Sequence, residues 1–175
     1  MRRILVVGSG GAGKSTFSRA LGGALGLPVI HLDAHYWRAG WVEPTQDEWR
    51  ATVAALVAGE GWVMDGNYSR TLVPRLAACD TVIFLDLPRW LCLWRVLARA
   101  WRYRGRSRPD MAQGCPEKMD ATFLKWVWDY PNRSRASVLA LLATAGHARV
   151  VRLRSRGEVA RFLAPSQPSP SFFSR

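Results

Sequence analysis

A short apolar, β-branched run, Ile4–Val7, breaks directly into Gly8-Ser9-Gly10-Gly11-Ala12-Gly13-Lys14-Ser15. This octapeptide meets the full G-x-x-x-x-G-K-[ST] pattern, with a strand signal before it and a helix signal opening at Lys14-Ser15. Glycines let successive backbone N–H groups curl round an anion without Cβ clashes. The helix that follows points the positive end of its dipole at the same place. Gly8, Ser9, Gly10, Gly11, Ala12, Gly13, Lys14, Ser15 and Thr16 are therefore predicted to cradle the phosphates of a nucleoside triphosphate, ATP. Lys14 is the predicted catalytic cation between the β- and γ-phosphates, and the Ser15 hydroxyl a ligand of Mg²⁺. A chance glycine turn is the competing reading, and the strand–loop–helix context disfavours it.

The rest of the chain alternates strands and helices. Val29–Leu32, Trp62–Met64, Thr81–Leu85 and Arg149–Leu153 read as further strands. Between them lie helical patterns over Ser15–Leu25, after Thr45, after Pro88, over roughly Lys118–Ala143, and over Arg156–Leu163. Thr45-Gln46-Asp47-Glu48 spells a capping box. The expected fold is α/β: a five-stranded, doubly wound parallel sheet of the P-loop NTPase type, with helices on both faces. Ligands in such sheets lie at the carboxyl ends of the strands, where Gly8, Asp33, Asp65 and Asp86 all fall. One domain is expected over residues 1–163, with an Arg-rich lid at about 103–117, "YRGRSRPDMAQGCPE". A Pro/Ser-rich tail over 164–175 is expected to be disordered.

The chain of 175 residues carries a formal net charge of +12, mostly arginine, so polyanions are the expected company. An arginine-rich composition without functional meaning is the alternative. Cys79, Cys92 and Cys115 have no metal-binding spacing. Neither a signal peptide nor a membrane-spanning run is apparent, and the expectation is a cytoplasmic monomer with no membrane partner.

Two carboxylates stand out. Asp33 in "HLDAHYW" faces the crevice opposite the glycine loop. There it is a candidate catalytic base for a hydroxyl acceptor, a positioning group, or a plain turn carboxylate. His31 and His35 beside it read as structural or substrate-lining. Asp65 in "VMDGNYSRT" ends the third strand and is a candidate Mg²⁺ ligand; an Asp-Gly turn is the alternative. Asp86 reads as a strand-end cap. After Pro88, Arg95, Arg99, Arg102 and Arg106 share a helix face, while Trp90, Trp94, Leu97 and Trp101 form an apolar stripe expected to pack on the sheet. The arginines of "RYRGRSRP" continue past the helix pattern, which suggests a lid that closes on the transferring phosphoryl group. Arg133 and Arg135 in "YPNRSR" are expected to reach the same phosphates. Trp37, Trp41 and Tyr68 are candidate walls of an acceptor pocket, with core packing as the alternative.

Taken together, "GSGGAGKST", "PVIHLDAHYWRAGW", "GWVMDGNYSRTL", "DTVIFLDLPRWLCLWRVLARAWRYRGRSRPD" and "FLKWVWDYPNRSR" resemble the adenylate-kinase-like P-loop kinases. Within that group the chain is most similar to the bacterial DNA topology modulation proteins, from Met1 to about Leu163. The resemblance implies a mobile acceptor-side segment and an arginine-bearing lid, with Arg108 contacting ATP phosphates; Arg133, from its position after the lid, is a further catalytic candidate. The resemblance also implies that Arg70 meets the acceptor, while Asp33, Trp37 and Arg135 are substrate-binding candidates from their positions in the sequence. Nucleoside monophosphate kinases carry Asp-Gly-Phe-Pro-Arg at this strand end. Here Asn67-Tyr68-Ser69 replaces Phe-Pro and places Arg70 one residue later. The expected activity is transfer of the γ-phosphoryl group of Mg-ATP to a nucleotide or other small molecule. The alternative is a nucleotide-dependent nucleic-acid-binding or regulatory ATPase, although no DNA-reading motif is present.

Overall fold

The computed structural model describes residues 1–106, 108–117 and 120–164. The expected disordered tail therefore lies, past Ala164, outside the described residues. Five strands, β1 (Arg3–Gly8), β2 (Val29–His31), β3 (Trp62–Asp65), β4 (Thr81–Leu85) and β5 (Arg149–Leu153), form one sheet in the order β2-β3-β1-β4-β5. Every pairing is parallel. The strand that feeds the glycine loop is central, and Ile4, Leu5, Val6 and Val7 have no exposed surface. Such a strand must be apolar on both faces, which is why it reads as a continuous run rather than an alternation.

Helices α1 (Lys14–Leu25), α2 (Leu32–Tyr36), α3 (Gln46–Val57), α4 (Leu72–Ala78), α5 (Arg89–Arg102), α6 (Ala121–Arg133), α7 (Arg135–Thr144) and α8 (Arg156–Leu163) connect the strands. Two apolar clusters result, one on each face of the sheet. Trp49, Trp62, Met64 and Phe84 lie in one; Phe17, Ile83, Cys92 and Val127 lie in the other. The capping box opens α3 as expected: Glu48 N–H donates to Thr45 Oγ1 at 3.3 Å, and Thr45 N–H to Glu48 Oε2 at 2.8 Å.

Several expectations are corrected. The single helix expected over Lys118–Ala143 is two helices, α6 and α7, parted at Ser134. Arg106 does not continue the arginine face, because α5 ends at Arg102. Asp33 lies in the first turn of α2 rather than at a strand end. The tryptophan stripe of α5 does not pack on the sheet: Trp90 is 65% exposed, Trp94 63% and Trp101 80%. The buried face is instead Leu91, Cys92, Val96 and Ala100. A Cβ on Gly11 would stand 2.1 Å from the Cys92 carbonyl oxygen. At so close a helix–loop approach only small side chains fit, and the indoles are turned outward.

Asp86, just past β4, accepts from Arg135 Nε at 2.9 Å and from Arg152 Nε at 2.8 Å. Burial opposes its ionisation, but the two guanidinium groups prevail and hold its carboxyl below the usual aspartate range. A lowered folded-state pKa stabilises the fold above the unfolded value of about 4, and that stabilisation disappears as pH falls through the folded value. Asp86→Asn is expected to cost about 2 kcal/mol at pH 7, less than a fully buried pair because both arginines reach water. Urea unfolding should show this gap shrinking as pH drops below about 4.

Candidate functional site

A cavity of about 1740 Å³ opens along the carboxyl ends of the strands, between the glycine loop, α2, α5, α8 and the lid. That is more than the roughly 300–1,000 Å³ of a one-ligand pocket, and the cleft is open to solvent. Gly10–Thr16 line it, while Gly8 and Ser9 stand behind that wall. Gly11 has φ +76 and Gly13 φ +90, conformations that side chains with a Cβ rarely adopt. No acidic residue lies in the first turn of α1, so its positive end faces the cavity uncancelled.

Lys14 Nζ donates to the carbonyls of Gly8 at 2.9 Å and Ser9 at 3.0 Å. Burial pulls its pKa below the ordinary lysine value, opposed by the carboxylates of Asp33 and Asp65. Ser15 Oγ donates to Asp65 Oδ1 at 3.3 Å. These are hard oxygen donors at the mouth of a phosphate cradle, the donor chemistry that suits Mg²⁺. Among the described residues there is no cluster of three or more His, Cys, Asp or Glu that would hold a metal on protein ligands alone. An ion that keeps waters and shares phosphate oxygens is the kind that two such groups suit.

The structure adds partners that the sequence did not reveal. His31 Nδ1 lies 2.6 Å from Asp65 Oδ2 and is largely buried. Burial disfavours the imidazolium, but the hydrogen bond and charge of Asp65 outweigh it and raise the His31 pKa. Asp110 of the lid lines the cavity, and burial works against its charge. The charge of Arg108 nevertheless keeps its pKa low. The helical register of Ser15 and the strand register of Asp65 carry no trace of a lid residue, so Asp110 was not legible beforehand.

The loop after β3 is the frame of the site. Asn67 Oδ1 accepts from Gly8 N–H at 3.2 Å, tying this loop to the start of the phosphate cradle. Tyr68, at φ 29, donates its hydroxyl to Asp33 Oδ1 at 2.7 Å. Beneath them Arg75, with no exposed surface, donates to the carbonyls of Thr71, Gly66, Asn67 and Tyr68. Burial pulls its pKa down to about 10.

The predicted residues divide accordingly. Lys14, Ser15, Thr16, Asp33, Trp37, Asp65 and Arg108 line one cavity. Arg108 stands between two acids, its Nη1 3.1 Å from Asp110 Oδ2 and its Nε 2.7 Å from Glu117 Oε2. Three other arginines fall elsewhere. Arg70 is exposed on a 3₁₀ turn and does not line the cavity. Arg133 is exposed at the end of α6, and Arg135 is engaged by Asp86. Asp86 follows β4, on the opposite side of β1 from β2 and the acceptor segment, and it holds Arg135 there at the start of α7.

The central strand, the glycine loop and the all-parallel five-stranded sheet define an α/β fold of the P-loop type. Solved structures agree: the chain is similar to shikimate kinase from Bacteroides thetaiotaomicron, at 17% identity and TM-score 0.53, over 93% of this chain and 94% of that one. It is likewise similar to shikimate kinase from Acinetobacter baumannii in complex with shikimate, at 17% identity and TM-score 0.56, over 93% and 89%. No family model and no curated protein matches the chain. Among the described residues no helix is long and apolar enough to cross a membrane.

Proposed function

We propose that this protein is an ATP-dependent phosphotransferase acting on a small-molecule hydroxyl. The observation that carries this reading is the division of one cavity into two halves. The phosphate cradle, Lys14 and the α5 arginines line it from one set of segments; Asp33, Trp37, Trp41 and Tyr68 line it from another. Backbone N–H groups and Lys14 hold the donor phosphates, while Ser15 and Asp65 would hold Mg²⁺, which neutralises phosphate charge. Asp33, fixed by the Tyr68 hydroxyl, orients the acceptor hydroxyl and is placed to take its proton. Arg99 of α5 and Arg108 of the lid wall the donor half, and the lid is pinned across the site. That lid is held by the Trp41 Nε1 bond to Pro116 O at 3.2 Å and the Gly40 N–H bond to Gly114 O at 2.9 Å. Excluding water there favours transfer to the acceptor over hydrolysis.

A second reading, a nucleotide-dependent nucleic-acid-binding ATPase, has one observation behind it. Trp90, Trp94 and Trp101 project into solvent on an arginine-rich helix, an arrangement that suits base stacking beside phosphate contacts. It would give the resemblance to the DNA topology modulation proteins a direct physical basis. Kinase action predicts ADP release that rises with a hydroxyl acceptor and is indifferent to oligonucleotide. ATP hydrolysis that is stimulated by single-stranded DNA, weakens steeply with salt, and leaves every alcohol unmodified would replace it with the second reading.

A further inference from the structure

The two halves of the cavity differ in charge as well as in position. Every lysine or arginine on its wall comes from α1, α5, the lid or α8, among the described residues. The segments 32–43 and 65–68 instead contribute Asp33, Trp37, Trp41, Glu43, Asp65, Gly66, Asn67 and Tyr68. The described residues of these segments place no cation of their own on the wall, and the charges that act there from α1 are Lys14 on Asp33 and Arg19 on His31. Arg38, the nearest in sequence, is held by Glu48 at 2.9 Å, and Arg70 lies outside the cavity.

What the wall offers is aromatic surface and carboxylate. Trp37 and Trp41 meet edge to face with centroids 5.2 Å apart, and Tyr36 packs on both Trp37 and Tyr68. The Tyr36 hydroxyl donates to Glu43 Oε2 at 3.0 Å, as Tyr68 does to Asp33. The arrangement is also held under strain. The two non-glycine residues with positive φ among those described, Trp41 at 66 and Tyr68 at 29, both belong to this wall. Strain of this kind persists where surrounding contacts impose it, and it concentrates at ligand sites. Indole faces flanked by two carboxylates attract a cation by its charge and by the ring quadrupole.

Resting on the phosphotransferase reading, we infer that the acceptor is a hydroxyl-bearing amine, cationic at neutral pH, such as an amino alcohol or amino sugar. In the transfer, the acceptor oxygen forms a bond to the γ-phosphorus as the bond to the β–γ bridging oxygen breaks. The hydroxyl proton passes to Asp33, and ADP leaves. The acceptor ammonium lies against Glu43 and the indoles, and carboxylate or phosphate acceptors are repelled by the same groups.

The test uses the full chain and a matched sugar series: glucosamine, glucose, glucuronate and glucose 6-phosphate. Binding is measured by calorimetry in the presence of a non-hydrolysable ATP analogue, and ADP release is measured with Mg-ATP. Glucosamine should bind about tenfold tighter than glucose, the acids more weakly still, and Glu43→Gln should erase the preference for the amine. Tightest binding of an acid, equal binding of amine and neutral sugar, or no binding across the series overturns the inference. Selective binding of glucosamine without ADP release from any member supports the charge assignment of the pocket and sinks the phosphotransferase reading instead. The two failures are thereby distinguished.

Discussion

Lys14→Ala should lower acceptor-dependent ADP release by about a thousandfold, a loss of about 4 kcal/mol of transition-state stabilisation. The expectation follows from where the ammonium sits. Its Nζ lies at the glycine-loop carbonyls of Gly8 and Ser9, in a setting where burial already disfavours the charge. A partly buried cation at the wall of a cleft acts strongly on a polyphosphate, because less water screens it there than at an open surface. The substitution removes that charge without disturbing the sheet, so thermal unfolding should be nearly unchanged. Steady-state ADP release against ATP concentration is the measurement. A folded variant that keeps more than about a tenth of the wild-type rate would show that Lys14 is not part of the chemistry.

Arg75→Ala should be the most destabilising single change outside the strands, at about 4 kcal/mol of unfolding free energy. The side chain has no exposed surface and its donors serve four backbone carbonyls at the turn after β3. Alanine leaves a cavity and strands those carbonyls without partners. Lysine should rescue little, since one compact ammonium cannot span the positions that a planar guanidinium reaches. Because the same turn carries Asn67 and Tyr68, any folded Arg75→Lys protein should also bind its acceptor more weakly than wild type. Denaturant unfolding followed by tryptophan fluorescence reads the first effect. A shift of less than about 1 kcal/mol would mean that the loop holds itself.

These two residues differ in how they announce themselves. Lys14 is legible from eight consecutive residues, because a phosphate cradle is a local device: glycine backbone freedom, a helix start and one cation in fixed order. Asp65 is legible from its place at a strand end, since a parallel sheet delivers strand ends to one edge. Arg75 carries no such mark. In the sequence it is one arginine among many on a short helix, and nearby Arg70 is the one that matches a motif. Packing reverses their roles, burying Arg75 under the turn and leaving Arg70 in solvent.

Helix α5 makes the same point on a larger scale. Its apolar residues form two stripes, the indoles of Trp90, Trp94 and Trp101 and the smaller Cys92, Val96 and Ala100. Hydrophobicity favours burying the first. Yet the helix lies so close to Gly11 that only the second fits, and the larger side chains face water. Similarly, nothing local in "RSRPD" indicates that Arg108 and Asp110 face each other, or that Asp110 and Ser15 line one cavity.

The alternation of strands and helices, the phosphate cradle and the edge at which ligands are expected thus follow from short-range pattern, because backbone geometry and periodicity act over a few residues. The strand order β2-β3-β1-β4-β5 does not. Which arginines face the cavity, which indoles are buried and what charge the acceptor wall carries depend on how closely distant segments approach. Those distances, set by packing, exist only in the folded chain.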